Sequence, residues 1–281
     1  MVIIRVCGGL GNQLFQFALY EKMRFWGKDV YLDKSLYKSK RREKRHFCLD
    51  MLNNNIRYCD NKQRKALSNN DNNRISWYFQ KKKGLKKSHY YEKQRTHYDE
   101  DIFSFDNVYL EGYWQNEKYF SDIRDIILQE LHFSVSQDLS MLLKEIQSCN
   151  AVSVHVRRGD YLEDSRRCEG ICTLEYYKRA MQYVEQRTSV DKYYIFSDDI
   201  AWCREQFNND SKYVFINPRS EKEAAVDMQL MSFCSHNIIA NSSFSWWAAW
   251  LNENPQKIVV APKVWIKGQH LDIWCNDWVR L

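Results

Sequence analysis

Ala151-Val152-Ser153-Val154-His155-Val156-Arg157-Arg158-Gly159-Asp160 is a short apolar run, rich in β-branched residues, that breaks abruptly into charge and glycine. Such a run reads as a strand buried inside a parallel sheet, with its carboxyl end turned towards solvent or ligand. The same pattern recurs downstream, where further strands are expected at residues 192–197, 212–216, 237–241 and 257–261. Amphipathic stretches lie between them. One covers residues 174–187 after Thr173, and a second is opened by the capping box Ser220-x-x-Glu223 and passes Met228 and Met231 to about Ser235. A third is capped by Ser242 or Ser243 and ends near Asn254-Pro255. Strands alternating with helices imply parallel β-α-β units, in which ligands bind outside the carboxyl ends of the strands.

Those ends carry a consistent set of polar residues: His155, Arg157, Arg158 and Asp160; Ser197, Asp198 and Asp199; Asn217 and Arg219; Asn241, Ser242 and Ser243; Lys263. Two arginines directly after a buried strand present fixed donors that match phosphate oxygens bidentately, and their charge is not lost by deprotonation. A diphosphate leaving group would thereby be stabilised without a metal. Asp160, next in the loop, either orients an arginine or accepts a hydrogen bond from substrate. For Asp198 and Asp199 three readings stand: a carboxylate pair for a divalent cation, a carboxylate accepting from a guanine edge, or, for Asp199, a helix N-cap. Ser242 and Ser243 place hydroxyls and a helix N-terminus at a strand end, which suits phosphate oxygens. The spacing of Trp246, Trp247 and Trp250 follows one helical face and predicts core packing.

The N-terminal part opens with another such unit: strand 2–6, loop Cys7-Gly8-Gly9-Leu10-Gly11-Asn12, helix 13–25, strand 29–32 ending at Asp33. Three of the 9 glycines of the chain stand in that loop. Gly9-Leu10-Gly11-Asn12-Gln13-Leu14 with Asp33 beyond it is a candidate dinucleotide fingerprint, so an NAD(P)-dependent oxidoreductase is the rival enzyme. Leu14 stands where the third glycine belongs and opposes close helix–strand packing. Regularity returns at residues 107–110, then Glu111-Gly112-Tyr113-Trp114-Gln115, then a helix at 122–131. The expected organisation is two α/β domains, 1–148 and 149–281.

The composition fits a folded globular chain: 281 residues, 44% hydrophobic, with 3 prolines and a net charge of +6. That charge is unevenly distributed. Residues 34–98 hold 19 basic and 5 acidic residues, a net +14, with the densest block at Lys81-Lys82-Lys83-Gly84-Leu85-Lys86-Lys87. A solvated basic lobe competes there with a nucleic-acid or anionic-membrane surface. No apolar run reaches the roughly 18 residues of a spanning helix, and the start of the chain does not read as a signal peptide. The 9 scattered cysteines look like reduced cytosolic thiols. Cys168-x-x-x-Cys172 with His155 lacks a fourth zinc ligand. Asp99-Glu100-Asp101 formally matches an Asp-x-Asp metal motif but has no clear preceding strand.

Read together, Gly8-Gly9-Leu10-Gly11-Asn12-Gln13-Leu14-Phe15-Gln16-Phe17-Ala18, Gly112-Tyr113-Trp114-Gln115-Asn116-Glu117-Lys118-Tyr119-Phe120, His155-Val156-Arg157-Arg158-Gly159-Asp160-Tyr161 and Asn241-Ser242-Ser243-Phe244-Ser245-Trp246-Trp247 resemble the bacterial α-1,2-fucosyltransferases of glycosyltransferase family 11. The resemblance implies a GT-B-like α/β fold of two facing Rossmann-like domains with parallel sheets. It implies inverting transfer of L-fucose from GDP-fucose to the 2-hydroxyl of a terminal galactoside, with no cofactor and no metal. Another GDP-sugar is the alternative donor. Carried over by motif, Arg157 lies on the pyrophosphate, His155 and Asp160 shape the same catalytic loop, and Arg158, Asp198, Asn241, Ser242 and Ser243 bind the donor. Gly11, Asn12, Gln13, Tyr113 and Trp114 fall on the acceptor side. The expected partners are GDP-fucose and a galactose-terminated or lipid-linked glycan, not nucleic acid. The expected compartment is the bacterial cytoplasm, with a peripheral contact to the inner membrane.

Overall fold

Val2, Ile3 and Ile4 are all at most 1% exposed, so the first strand is buried on both faces, as a parallel strand between helices must be. The computed structural model describes residues 1–38, 43–52, 55–69, 86–131, 139–159, 161, 167–207 and 210–281. These form two compact units, Met1–Leu131 and His132–Leu281. The division falls earlier than the expected 148/149. The helix Ser140–Gln147 goes with the second unit, where Tyr194 donates to Glu145 at 3.1 Å.

In the first unit β1 (Val2–Arg5) leads through the glycine loop to α1 (Leu10–Phe25) and β2 (Val30–Asp33). α2 (Asn61–Leu67), β3 (His89–Tyr91), β4 (Val108–Glu111) and α3 (Arg124–Glu130) follow. The strands pair in parallel in the order β2-β1-β4-β3. α1 begins before the expected Gln13 because Gly9, in extended conformation, is its N-cap. Two of its buried polar residues reach other elements. Gln16 accepts from the Cys7 amide at 3.0 Å and donates to the Gly112 carbonyl at 3.1 Å, while Lys22 pairs with Asp122.

In the second unit α4 (Ser140–Gln147) precedes β5 (Ala151–Val156), α5 (Leu174–Glu185), β6 (Lys192–Ser197), α6 (Ile200–Gln206) and β7 (Tyr213–Ile216). Then come α7 (Ala224–Ser232), β8 (His236–Ile238), α8 (Ser243–Leu251), β9 (Val259–Ala261) and β10 (Val279–Arg280). Ser220 opens a 3-10 turn at Glu221–Glu223 before α7, but its hydroxyl donates to Glu223 Oε2 at 2.6 Å and caps no amide, so the serine half of the foreseen capping box does not form. The sheet is parallel, in the order β10-β9-β8-β5-β6-β7. Read from its far edge this is the 3-2-1-4-5-6 order of a dinucleotide-binding sheet, and the chain reverses direction between β5 and β8. The core is Val152, Val154, Tyr177, Met181, Ile195 and Ile238. Trp246 and Trp247 are fully buried and Trp246 stacks on Trp250, so the tryptophans pack the core as expected. Each such ring contributes about 2–3 kcal/mol by leaving water.

Candidate active site

β5 delivers Arg157 and Arg158 to the carboxyl edge of the second sheet, beside the point where the strand order reverses. Arg157 Nη1 pairs with Asp198 Oδ2 at 3.0 Å, and the Arg158 amide donates to Asp198 Oδ1 at 2.9 Å. Arg158 Nε donates to Asp199 Oδ2 at 3.1 Å, and its guanidinium carbon lies 4.0 Å from the Trp202 ring centre. Asp199 Oδ1 also accepts the Trp202 amide, so this residue is the N-cap of α6. Gly159 makes room for the arrangement, because a Cβ there would stand 2.9 Å from Asp198 Oδ2. Asp198, expected at a guanine edge, thus has both carboxylate oxygens on the arginine loop. Asp160 lies outside the described residues.

His155 is 5% exposed, with its ring centre 5.4 Å from that of Phe244. Burial, and after it the charge of Arg157, push the imidazole down to about 3. A general base works best with a pKa near the working pH, so His155 does not fit that role. The ring packs on Phe244, and its Nδ1 is buried without a hydrogen-bond partner.

The loop after β8 comes to the same place. Tyr161 donates to the Asn241 carbonyl at 2.9 Å and lies under Arg157, 5.7 Å from ring centre to guanidinium carbon. The Asn241 side chain is 3% exposed, donates to the Trp265 carbonyl at 2.9 Å and accepts from Cys172 Sγ at 3.4 Å. In this structure it is a clamp beneath the loop. Ser242 caps α8 through the Phe244 amide, and half-buried Ser243 begins that helix.

On the first unit, Asn12 accepts from Gln115 Nε2 at 2.8 Å. Gln13 is wholly buried, donates to the Gly8 and His46 carbonyls and accepts from the Cys48 amide. Trp114 is likewise 0% exposed, and Gly11 is buried in the first turn of α1. Gln13, Trp114 and Gly11 therefore frame the loop from within the fold. Tyr113 keeps partial exposure beneath Arg95, 4.5 Å from ring centre to guanidinium carbon. Arg95 carried no signal in the sequence, since it sits in the stretch of interleaved lysines, asparagines and aromatics.

The rival motifs find other employment. Asp33 is 4% exposed, and its carboxylate accepts from the Ser35 amide at 2.9 Å and the Tyr109 hydroxyl at 2.7 Å. Both of its oxygens are already engaged inside the fold. Asp99 caps the turn Glu100–Phe103 and pairs with Tyr90 and Lys93. Burial pushes the Cys172 thiol up to about 12, and its sulfur donates to Asn241 Oδ1 at 3.4 Å. The lysines at 81–83 lie outside the described residues. Lys34 and Arg57, from the same basic stretch, pair with Asp50 and Asp29. No helix among the described residues is long and apolar enough to cross a membrane.

The profile of glycosyl transferase family 11 matches residues 1–281. An α-1,2-colitosyltransferase of Escherichia coli is 33% identical, covering 100% of this chain and 99% of its own. The O-antigen biosynthesis glycosyltransferase WbnK of E. coli is 32% identical over 96% of this chain and 98% of its own. Among solved structures, the fucosyltransferase NodZ from Bradyrhizobium superposes with a TM-score of 0.50 at 15% identity, covering 88% of this chain and 92% of that one. That last likeness is one of fold and agrees with a GT-B-like α/β architecture.

Proposed function

This chain belongs to glycosyl transferase family 11, and we propose from that premise that it transfers L-fucose from GDP-β-L-fucose to the 2-hydroxyl of a terminal galactoside, with inversion and without a metal ion. The observation that carries the donor half is the arginine pair at the β5 exit, held by Asp198 and Asp199 beside the strand-order reversal. A nucleoside diphosphate there meets the Arg157 fork on one side and the hydroxyls and N-terminus of α8 on the other. As the sugar–phosphate bond breaks, charge accumulates on GDP. Arg157, already oriented by Asp198, stabilises that charge with little reorganisation. The acceptor hydroxyl then attacks an oxocarbenium-like centre from the opposite face and loses its proton to solvent as the glycosidic bond forms and GDP departs. Residues 1–148 supply the acceptor side.

The full-length similarity to an α-1,2-colitosyltransferase favours a second reading, with a GDP-linked dideoxy sugar as donor. Colitose is L-fucose without its 3-hydroxyl, so the same leaving group and geometry serve both. The test is GDP release in EDTA from GDP-fucose and from GDP-colitose, with and without lactose. Acceptor-dependent release from GDP-fucose supports the first reading, and release from GDP-colitose alone supports the second. Release from neither donor, with Mn²⁺ restoring nothing, removes both.

A further inference from the structure

Three loops leaving the carboxyl ends of β1, β4 and β3 meet on the first unit, and they bring together Asn12, Tyr113 with Gln115, and Arg95. Gln115 is 1% exposed. Its Nε2 donates to Asn12 Oδ1 at 2.8 Å, and its Oε1 accepts from Arg95 Nε at 3.2 Å. The Arg95 guanidinium is laid over the Tyr113 ring. The nearby acid, Glu92, accepts the Tyr113 amide on one carboxylate oxygen at 2.8 Å and the Trp114 amide on the other at 3.1 Å, and it attracts Arg95 electrostatically from a distance longer than an ion pair. Arg95 is therefore fixed along its Nε edge and on one face. Among the described residues no hydrogen bond or ion pair reaches its two terminal nitrogens.

We propose that Arg95 is an acceptor-recognition residue whose terminal nitrogens take an oxyanion, a carboxylate or a phosphate, carried by the acceptor; this rests on the glycosyl-transfer reading above. Ordering an arginine side chain costs about 2 kcal/mol of rotamer entropy. Stacking on a partly exposed tyrosine returns about 0.5–1 kcal/mol. The stack and the Nε bond to Gln115 together offset most of that cost and fix the direction of the guanidinium, and the edge left over has the spacing that matches two anionic oxygens. Pre-organisation of that kind favours a ligand by removing the ordering cost at the moment of binding. The location agrees, since ligands of parallel sheets sit outside the carboxyl ends of the strands. Had Arg95 served to brace Gln115 alone, its loss would weaken all acceptors alike.

The test compares kcat/KM for lactose, lactobionate and lactose 1-phosphate, in the wild type and in Arg95→Ala and Arg95→Lys. The wild type is expected to prefer one of the anionic acceptors over lactose by about tenfold, 1.4 kcal/mol. Lactobionate identifies a carboxylate as the group recognised, and lactose 1-phosphate identifies a phosphate. In Arg95→Ala that preference ratio falls towards one, through KM, while the Tm shift given by GDP persists. Arg95→Lys keeps the charge without the fork and falls between. A wild type without preference, or equal losses on all three acceptors, overturns the proposal. If nothing is glycosylated from either donor, the transferase reading fails and Arg95 is judged by binding. The anionic sugars must then raise the Tm of the wild type and not of Arg95→Ala, and the absence of that difference overturns the proposal.

Discussion

Arg157 and His155 stand two positions apart at one strand exit and do opposite electrostatic work. Arg157 keeps a charge held in place by Asp198, while His155 is kept neutral by burial and by that same charge. Removing a donor aimed at developing negative charge costs about 10²–10³ in kcat. Arg157→Ala is expected to fall by that much in GDP-release assays while circular dichroism and Tm stay near wild type, and retained turnover would refute the role. His155 makes a separate prediction about stability. Its folded pKa of about 3 lies below the ordinary histidine value of 6.5, so the unfolded chain binds the proton first. Its contribution is then fully present above 6.5 and is lost as the pH falls towards 3, by up to about 1.4 kcal/mol per pH unit. Urea titrations at several pH values check this: His155→Gln is expected to flatten the acid limb between pH 6 and 4. At this scale the sequence displayed the residues at strand exits, because an apolar run ending in charge is visible by eye. Arg95 was invisible, since what orients it is a buried glutamine far along the chain and a tyrosine ring.

The alternation of strands and helices in the second unit was legible because each strand is a compact apolar run, and β5 and β6 lie at their expected bounds. β8 ends at Ile238, although residues up to Asn241 stay buried, because only His236–Ile238 pairs with β5 and β9. β10 has two residues, and β3 is His89–Tyr91, whose histidine is buried by bonds to the Asn69 amide and Glu111. Neither leaves a periodic signature, so neither was foreseen. Between β8 and α8 the clamp made by Asn241 yields a prediction at the scale of the element. Asn241→Ala leaves the Trp265 carbonyl without its donor, and an unpaired buried polar group costs about 1–3 kcal/mol. Chemical denaturation is expected to show a loss in that range. A variant of unchanged stability that no longer binds GDP would instead restore Asn241 to direct contact with the donor.

Both sheets are parallel with a strand-order reversal, so topology alone offers each unit a ligand edge and leaves the nucleotide undecided. The side chains decide. The first unit has a glycine loop, but its candidate ribose acid, Asp33, is closed by Ser35 and Tyr109, and Leu14 fills the place of a third glycine. The second unit has no glycine fingerprint, yet two arginines and a capped helix stand at its reversal point, which is chemistry for a diphosphate and not for hydride transfer. Thermal unfolding of the whole protein separates these alternatives. A ligand at 100 times its Kd stabilises by about 2.7 kcal/mol, which in a chain of this size raises Tm by several degrees. GDP is expected to give such a shift and NAD none at the same concentration. In Arg157→Ala the GDP shift is expected to shrink, because the guanidinium that meets the diphosphate is gone. A shift from NAD equal to that from GDP, insensitive to Arg157, would move the nucleotide to the first unit and undo the assignment of the second sheet as the donor site.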